Sequence, residues 1–412
     1  MAKSRKDHKG RALRKGESQR QSDLMYIYTY NDPSGKRRYI YAKNLQQLRE
    51  KENKLLRDQL DSLDVYAAGN SDLNFVFDRY IATKTELRQT TYTNYIYMYN
   101  RFVRNEFGKR KIGTIKYSDV LYFYRHLVND LHLQINTLET IHTILHPTFQ
   151  LAVRDEIIRR NPSDGIMADI KKKSGTDYNV RHALTLEQQR AFINYMVDNP
   201  FFYHWHPLFT VLLGTGCRIG EVIGLRWEDI DLEKRMISIN HTVTYYPRVK
   251  DGYRCQFTVS LPKTKAGIRT IPMMDAVYQA FLEEYEIQKE NGFNSTVIDG
   301  MTGFIFCNRF GNIHKPQGVN RAIKRIIKSY NTEELSNAEK EKREPLLIPH
   351  FSCHNLRHTF CTRFCENETN IKVIQAIMGH SSIETTMDIY AKVTDKKKQE
   401  SMEHLSHKLD VF

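Results

Sequence analysis

At 412 residues the chain is too long for one ordinary hydrophobic core and asks for two or three domains. Its 62 Lys and Arg against 48 Asp and Glu give a net charge of +14 and an isoelectric point near 9.3, a field suited to nucleic acid or an anionic membrane surface. No run of about 18 apolar residues exists, and the basic N-terminus leads into no apolar segment. This pattern argues against a spanning helix or a secretory signal and predicts a cytoplasmic protein. Cys217, Cys255, Cys307, Cys353, Cys361 and Cys365 include no C-x-x-C pair, so reduced thiols are expected rather than a disulfide framework.

The first 20 residues hold eight Lys or Arg against Asp7 and Glu17 and almost nothing apolar, which predicts a flexible basic arm. Tyr26, Tyr28 and Tyr30 alternate up to Asn31-Asp32-Pro33-Ser34-Gly35. Arg37, Tyr39 and Tyr41 alternate beyond it, as in a β-hairpin. Asn44 then caps a helix with Leu45, Leu48, Leu55 and Leu56 on one stripe. Through residue 70, sixteen basic residues face nine acidic ones, net +7 in about a sixth of the chain. This is either a hairpin module with solvated charges or a strand-based DNA reader. A linker is expected around 67–72, bounding a first domain at 1–71.

Helical periodicity fills a second domain, 72–170, in which Tyr92, Tyr95, Ile96, Tyr99, Phe102 and Val103 form one core face. Leu138, Ile141, Leu145, Phe149, Ala152 and Val153 form another. Lys84, Arg88, Arg101, Arg104, Lys109, Arg110 and Lys111 lie beside these faces, compatible with a grip on a duplex backbone. Residues 171–181 are polar and aperiodic, a second linker, and 182–412 form the largest domain. That domain starts helical, then alternates at Ile237, Ile239, Val243 and Tyr245 and at Tyr253, Cys255, Phe257, Val259 and Leu261, implying a small antiparallel sheet. Pro262 to Gly267 form a turn carrying Lys263 and Lys265. The polar segment Asn331 to Pro345 reads as a surface insertion before helices resume. The fold class is therefore multidomain and mainly α, with a β-hairpin module, an all-α domain and an α+β domain.

Three patches of the last domain carry groups that bind phosphate or transfer charge. In Gly216-Cys217-Arg218-Ile219-Gly220-Glu221, Arg218 and Glu221 sit one helical turn apart, which fits a surface ion pair as well as a guanidinium offered to phosphate. In His354-Asn355-Leu356-Arg357-His358, an imidazole and a guanidinium fork share a helix face. In the third, Gly379-His380 precedes Ser381-x-x-Glu384, a capping box that starts a helix near Ser381. Met387 and Ile389 supply apolar burial for part of that helix, so the Tyr390 phenol can face elsewhere. His354, His358, Cys361 and Cys365 also lie on one face, but one helix hardly supplies four ligands to a tetrahedral zinc. The cysteines are assigned to packing, and neither a metal nor a cofactor is expected.

Taken together these patches resemble the tyrosine recombinase and integrase family across the whole last domain. Thr215-Gly216-Cys217-Arg218-Ile219-Gly220-Glu221 leading to Leu225-Arg226-Trp227 is similar to its first-arginine motif, and His354-x-x-Arg357-His358 to its second. Gly379-His380-Ser381-Ser382 ending at Tyr390 is similar to the nucleophile motif, and Pro262-Lys263-Thr264-Lys265 before Arg269-Thr270-Ile271-Pro272 to the lysine hairpin. Upstream, the helical segment is similar to a core-binding domain. The first 70 residues are similar to the arm-binding module of phage and conjugative-transposon integrases. The resemblance implies Tyr390 as nucleophile, Arg218 and Arg357 as phosphate clamps, His354 and His380 as hydrogen-bond donors or proton acceptors, and Lys263, or else Lys265, as general acid. It further implies core-type and arm-type sites on double-stranded DNA, a homotetramer on synapsed DNA, an accessory excision factor, and no membrane partner. The C-terminal stripe Met402, Leu405, Leu409 and Phe412 would dock on a neighbouring protomer or fold back. A type IB topoisomerase and a noncatalytic DNA-binding regulator are the alternatives.

Overall fold

Asp7 and Glu17, two acids among eight cations, organise the segment whose composition reads as an unstructured arm. Asp7 accepts the backbone N–H groups of Lys9 and Arg11 at 2.9 and 2.8 Å, the Arg11 side chain at 2.8 Å and the Tyr26 hydroxyl at 2.9 Å. Glu17, fully buried, accepts from Arg14 N–H at 2.7 Å and Arg49 Nε at 3.0 Å. The flexible-arm expectation is thus corrected for residues 5–20: charge counting treats the two acids as solvated, whereas burial makes them hydrogen-bond hubs. Strand β1 (Glu17–Gln19) consequently pairs antiparallel with β2 (Tyr26–Asn31), which pairs with β3 (Arg37–Ala42). Helix α1 (Leu45–Leu60) starts on Asn44, whose Oδ1 accepts Gln47 N–H at 2.8 Å. It lays Leu45 and Leu48 on Tyr26 and Ala42, while Leu56 is exposed.

The structure is a computed structural model that describes residues 5–31, 36–60, 71–173, 183–248, 252, 254–262 and 265–391. Two units are distinguished, Met1–Asp177 and Tyr178–Phe412. Lys263 and the C-terminal stripe from Met402 to Phe412 lie outside the described residues.

In the first unit, α2 (Leu73–Ala82), α3 (Gln89–Phe102), α4 (Tyr117–Asn129), α5 (Ile135–Arg154) and α6 (Ile166–Lys173) follow the N-terminal sheet. Leu138, Ile141, Leu145, Phe149 and Ala152 are buried along α5, and Phe77 stacks on Tyr99 with centroids 3.5 Å apart. Arg104 is a core-edge residue, held by Asp78 at 2.7 Å and laid over Tyr99. Lys84, Arg88, Arg101, Lys109 and Lys111 are exposed.

The second unit is built around α8 (His206–Thr215), whose Leu208, Phe209, Val211, Leu212 and Leu213 are all buried, the signature of a helix covered on every side. Before it lies α7 (Leu186–Asp198), opened by a reciprocal cap between Thr185 and Gln188. After it come α9 (Ile219–Val222), β4 (Ile230–Asp231), β5 (Met236–Ile239), β6 (Thr242–Arg248), β7 (Arg254–Ser260) and β8 (Arg269–Pro272). These strands make an antiparallel β4-β5-β8 sheet and a β6-β7 ribbon. The remaining helices are α10 (Asp275–Asn291), α11 (Pro316–Glu341), α12 (Cys353–Asn367), α13 (Ile371–Met378) and α14 over 384–391. The stretch from Asn331, read as a surface insertion, is mostly exposed and continues α11 as a helix to Glu341. Glu334 accepts from Arg343 and from Leu346 N–H, and the Asn331 amide brackets the backbone of Ile348, so polar residues tie the helix end down.

Candidate active site

Helix α8 ends at Gly216, which takes a left-handed conformation (φ +62°). A Cβ there would come within 2.3 Å of the Phe360 ring on α12, so only glycine lets the two helices close on each other. Arg218 follows at once. Its backbone N–H and its Nη1 each donate to Glu221 at 2.9 Å, and its Nη2 donates to the Gly379 carbonyl at 3.4 Å. The i,i+3 ion pair expected between these residues exists, and the arginine it holds remains 43% exposed.

Arg357, on α12, is buried. Its Nη1 donates to the Gly216 carbonyl at 2.7 Å and its Nη2 to the Met378 carbonyl at 2.6 Å. Burial first, then the Arg218 charge, bring this guanidinium down to about 10. On strand β8, Arg269 donates through Nε to the Ile377 carbonyl at 2.7 Å and through Nη2 to Glu221 at 2.9 Å. The last two carbonyls of α13, those of Ile377 and Met378, and that of the capping Gly379 thus receive N–H groups from three different arginines. A helix C-terminus carries partial negative charge and unpaired carbonyls, so it gathers cations. The next residue is His380, buried, with Nδ1 at 2.8 Å from the Thr386 hydroxyl. Burial, then the charges of Arg357, Arg218 and Arg269, push the imidazole down to about 4.

Arg218, Arg357 and His380 therefore meet, although they come from three separate segments. His354 stands exposed on the first turn of α12, one turn before Arg357. Tyr390 is half-buried on α14 and packs, with Ile389, on a cluster of Cys361, Cys365, Ile374 and Met378. The packing assignment of those cysteines agrees with this cluster, and all six thiols are free. Two local expectations are corrected. Helix α14 begins at 384 rather than near Ser381: the Ile383 carbonyl accepts its first helical bond, from Met387 N–H at 2.8 Å, and Ser382 Oγ accepts Glu384 N–H at 3.1 Å just outside it. Met387 is 42% exposed, while Thr386 takes the buried position. Sequence reading missed Arg269 and Thr386 as supports. It also missed a basic stripe on α11, where Arg321, Lys324, Arg325 and Lys328 are all exposed at helical spacing, with Lys315 just before the helix. The 3- and 4-residue steps of that stripe were readable.

Residues 182–397 match the phage integrase family, and residues 1–59 match the DNA-binding domain of the Tn916 integrase. The chain is 30% identical to the transposase from transposon Tn916 of Enterococcus faecalis, over 98% of both chains. It is equally similar, with the same coverage, to the transposase from transposon Tn1545 of Streptococcus agalactiae. Among solved structures, the Tn1549 transposon integrase in complex with a circular intermediate DNA superposes with a TM-score of 0.68 at 27% identity. It covers 81% of this chain and 99% of that one.

Proposed function

Because the chain belongs to the phage integrase family, the tyrosine recombinases, it cuts and rejoins DNA at specific sites, and we propose that it does so as the integrase of a mobile element with Tyr390 as nucleophile. The Tyr390 oxygen attacks the scissile phosphorus, the bond to the 5′-oxygen breaks, and a 3′-phosphotyrosine and a 5′-hydroxyl result. The phosphoester energy is retained for rejoining. Arg218 and Arg357 hold the nonbridging oxygens as charge redistributes in the transition state. His380, with Nδ1 fixed by Thr386, uses Nε2 toward the phosphate or the phenol proton, and His354 adds a second imidazole. Lys263, or Lys265, protonates the leaving oxygen. Attack of another strand's 5′-hydroxyl on the phosphotyrosine completes each exchange.

The observation that carries this reading is the convergence of Arg218, Arg357 and His380 on the C-terminus of α13. Exposed Lys315, Arg321, Lys324, Arg325 and Lys328 on and before α11 supply a surface for the duplex backbone. The open face of the N-terminal sheet, with Tyr39, Tyr41 and Arg37 exposed, serves arm-type sites. We place the working particle in the cytoplasm as a homotetramer on synapsed DNA, assisted in excision by an accessory factor. No described helix is long and apolar enough to cross a membrane.

The test is incubation with a nicked suicide duplex carrying the element's joined ends. Wild type is expected to leave a covalent protein–DNA adduct, and Tyr390→Phe to bind the duplex equally well and leave none. An adduct with Tyr390→Phe would move the nucleophile elsewhere. Salt-reversible binding alone by wild type would make the chain a noncatalytic regulator, and relaxation without strand exchange would make it a topoisomerase.

A further inference from the structure

Arg269 lies outside the residues to which the cleavage chemistry is assigned, yet its side chain is only 6% exposed and makes contacts to three separate segments. Its Nη2 donates to Glu221 Oε2 at 2.9 Å and approaches Cys217 Sγ at 3.5 Å. Its Nη1 reaches Glu221 Oε1 at 3.4 Å and the Gly267 carbonyl at 3.2 Å, and its Nε donates to the Ile377 carbonyl at 2.7 Å. Glu221 is buried in turn, and the same two oxygens accept the backbone and side-chain N–H groups of Arg218. A carboxylate buried beside only a partly exposed arginine would be expensive; a second, fully buried guanidinium completes its shell. Gly379 has room for this fork because it lacks a Cβ, which would stand 2.8 Å from Arg269 Nη1.

We propose that Arg269 is a positioning residue for strand cleavage, locking Glu221, and through it the Arg218 guanidinium, to the backbone that leads into His380 and to the Gly267 carbonyl. The proposal rests on the roles given above to Arg218 and His380. A guanidinium fork is required because three acceptors lie in different directions; a lysine ammonium has charge but no planar fork to meet them. Misplacement of a phosphate clamp by about 1 Å costs on the order of a hundredfold in rate.

The experiment measures single-turnover adduct formation by the full chain at saturating protein on the nicked suicide duplex carrying the element's ends. Wild type, Arg269→Gln, Arg269→Lys, Arg218→Lys and the double variant Arg218→Lys/Arg269→Gln are compared. Arg269→Gln and Arg269→Lys are expected to cleave roughly a hundredfold slower with DNA affinity changed less than about threefold. The double variant is expected to be little slower than Arg218→Lys alone, because a displaced clamp has no position left to lose. Independently of turnover, the His380 ring, followed by NMR in the DNA-free chain, is expected to titrate at higher pH in Arg269→Gln than in wild type. Multiplicative rate losses in the double variant, wild-type rates in Arg269→Lys, or an unmoved His380 titration would overturn the proposal. A rate loss that merely tracks the unfolded fraction in thermal melts of both Arg269 variants would do the same. Failure of the functional reading gives a different result: wild type itself forms no adduct.

Discussion

At the scale of single residues, the active centre is unusual in what it does to a histidine. Burial, and then the charges of Arg357, Arg218 and Arg269, repel a proton from His380, so the ring sits at about 4 against an ordinary 6.5. Between those two values the unfolded chain binds a proton that the folded chain refuses, so stability is complete above pH 6.5 and falls as the pH drops toward 4. At about 1.4 kcal/mol per pKa unit, the share of His380 lost between pH 7 and pH 5 is about 2 kcal/mol. Urea unfolding at the two pH values should show this as a steeper acid loss in wild type than in His380→Asn. Parallel losses would mean that neither burial nor the arginines hold the ring below its ordinary value. His314, also held near 4 by burial beside His204, remains in both proteins and cancels from the comparison.

Among the elements, α13 does the most organising, because its C-terminus is the common acceptor for Arg269, Arg357 and Arg218. That convergence depends on Gly379, whose positive φ (+62°) suits glycine and whose missing Cβ leaves room for Arg269 and for the Ala266 carbonyl at 3.0 Å. Gly379→Ala should cost about 1–3 kcal/mol in denaturant melts, combining a left-handed alanine with a displaced guanidinium, and should slow adduct formation more than tenfold. Near-wild-type stability and rate would show that the loop relaxes freely. The sequence made legible the elements that rest on periodic burial, such as α5 and the β2-β3 hairpin. It also exposed the polar residues Arg218, Arg357, His380 and Tyr390 through their motifs. It did not reveal Arg269 as a support, since a long-range bond such as Arg269 to Ile377 leaves no local pattern. It misread residues 5–20 because Asp7 and Glu17 are buried by partners beyond the reach of composition. The start of α14 was misplaced for a smaller reason: Ser381-x-x-Glu384 has the spacing of a capping box, but the first helical bond is accepted by the Ile383 carbonyl.

On the scale of the whole molecule, the N-terminal sheet has a hydrophobic cluster of its own. Among the described residues, Tyr26, Ala42, Leu45 and Leu48, with Leu13, Tyr28 and Ile40 beside them, include none from later in the chain. Its polar hubs are equally local, with Asp7 served by Arg11 and Tyr26 and Glu17 by Arg14 and Arg49. An element that closes its own core and serves its own polar hubs can be removed without opening another core. Residues 1–70 carry half of the chain's net charge, +7 of +14, so their removal subtracts a large electrostatic attraction to DNA. The alternation of β3 leaves Tyr39 and Tyr41 exposed at 52% and 44% on the side away from α1, where aromatic and basic groups can meet a groove and its phosphates. Deleting residues 1–71 should therefore leave the melting temperature of the remainder within a few degrees and leave cleavage of short core duplexes close to wild type. Binding to a second, separate class of sites near the element's ends should be lost, and the salt dependence of binding full-length ends should flatten, because each phosphate contact removed lowers the slope by about one. Footprinting on those ends decides the matter. Protection unchanged by the deletion would deny the sheet its arm-binding role, and loss of core cleavage alongside intact folding would instead place the sheet in the catalytic cycle itself.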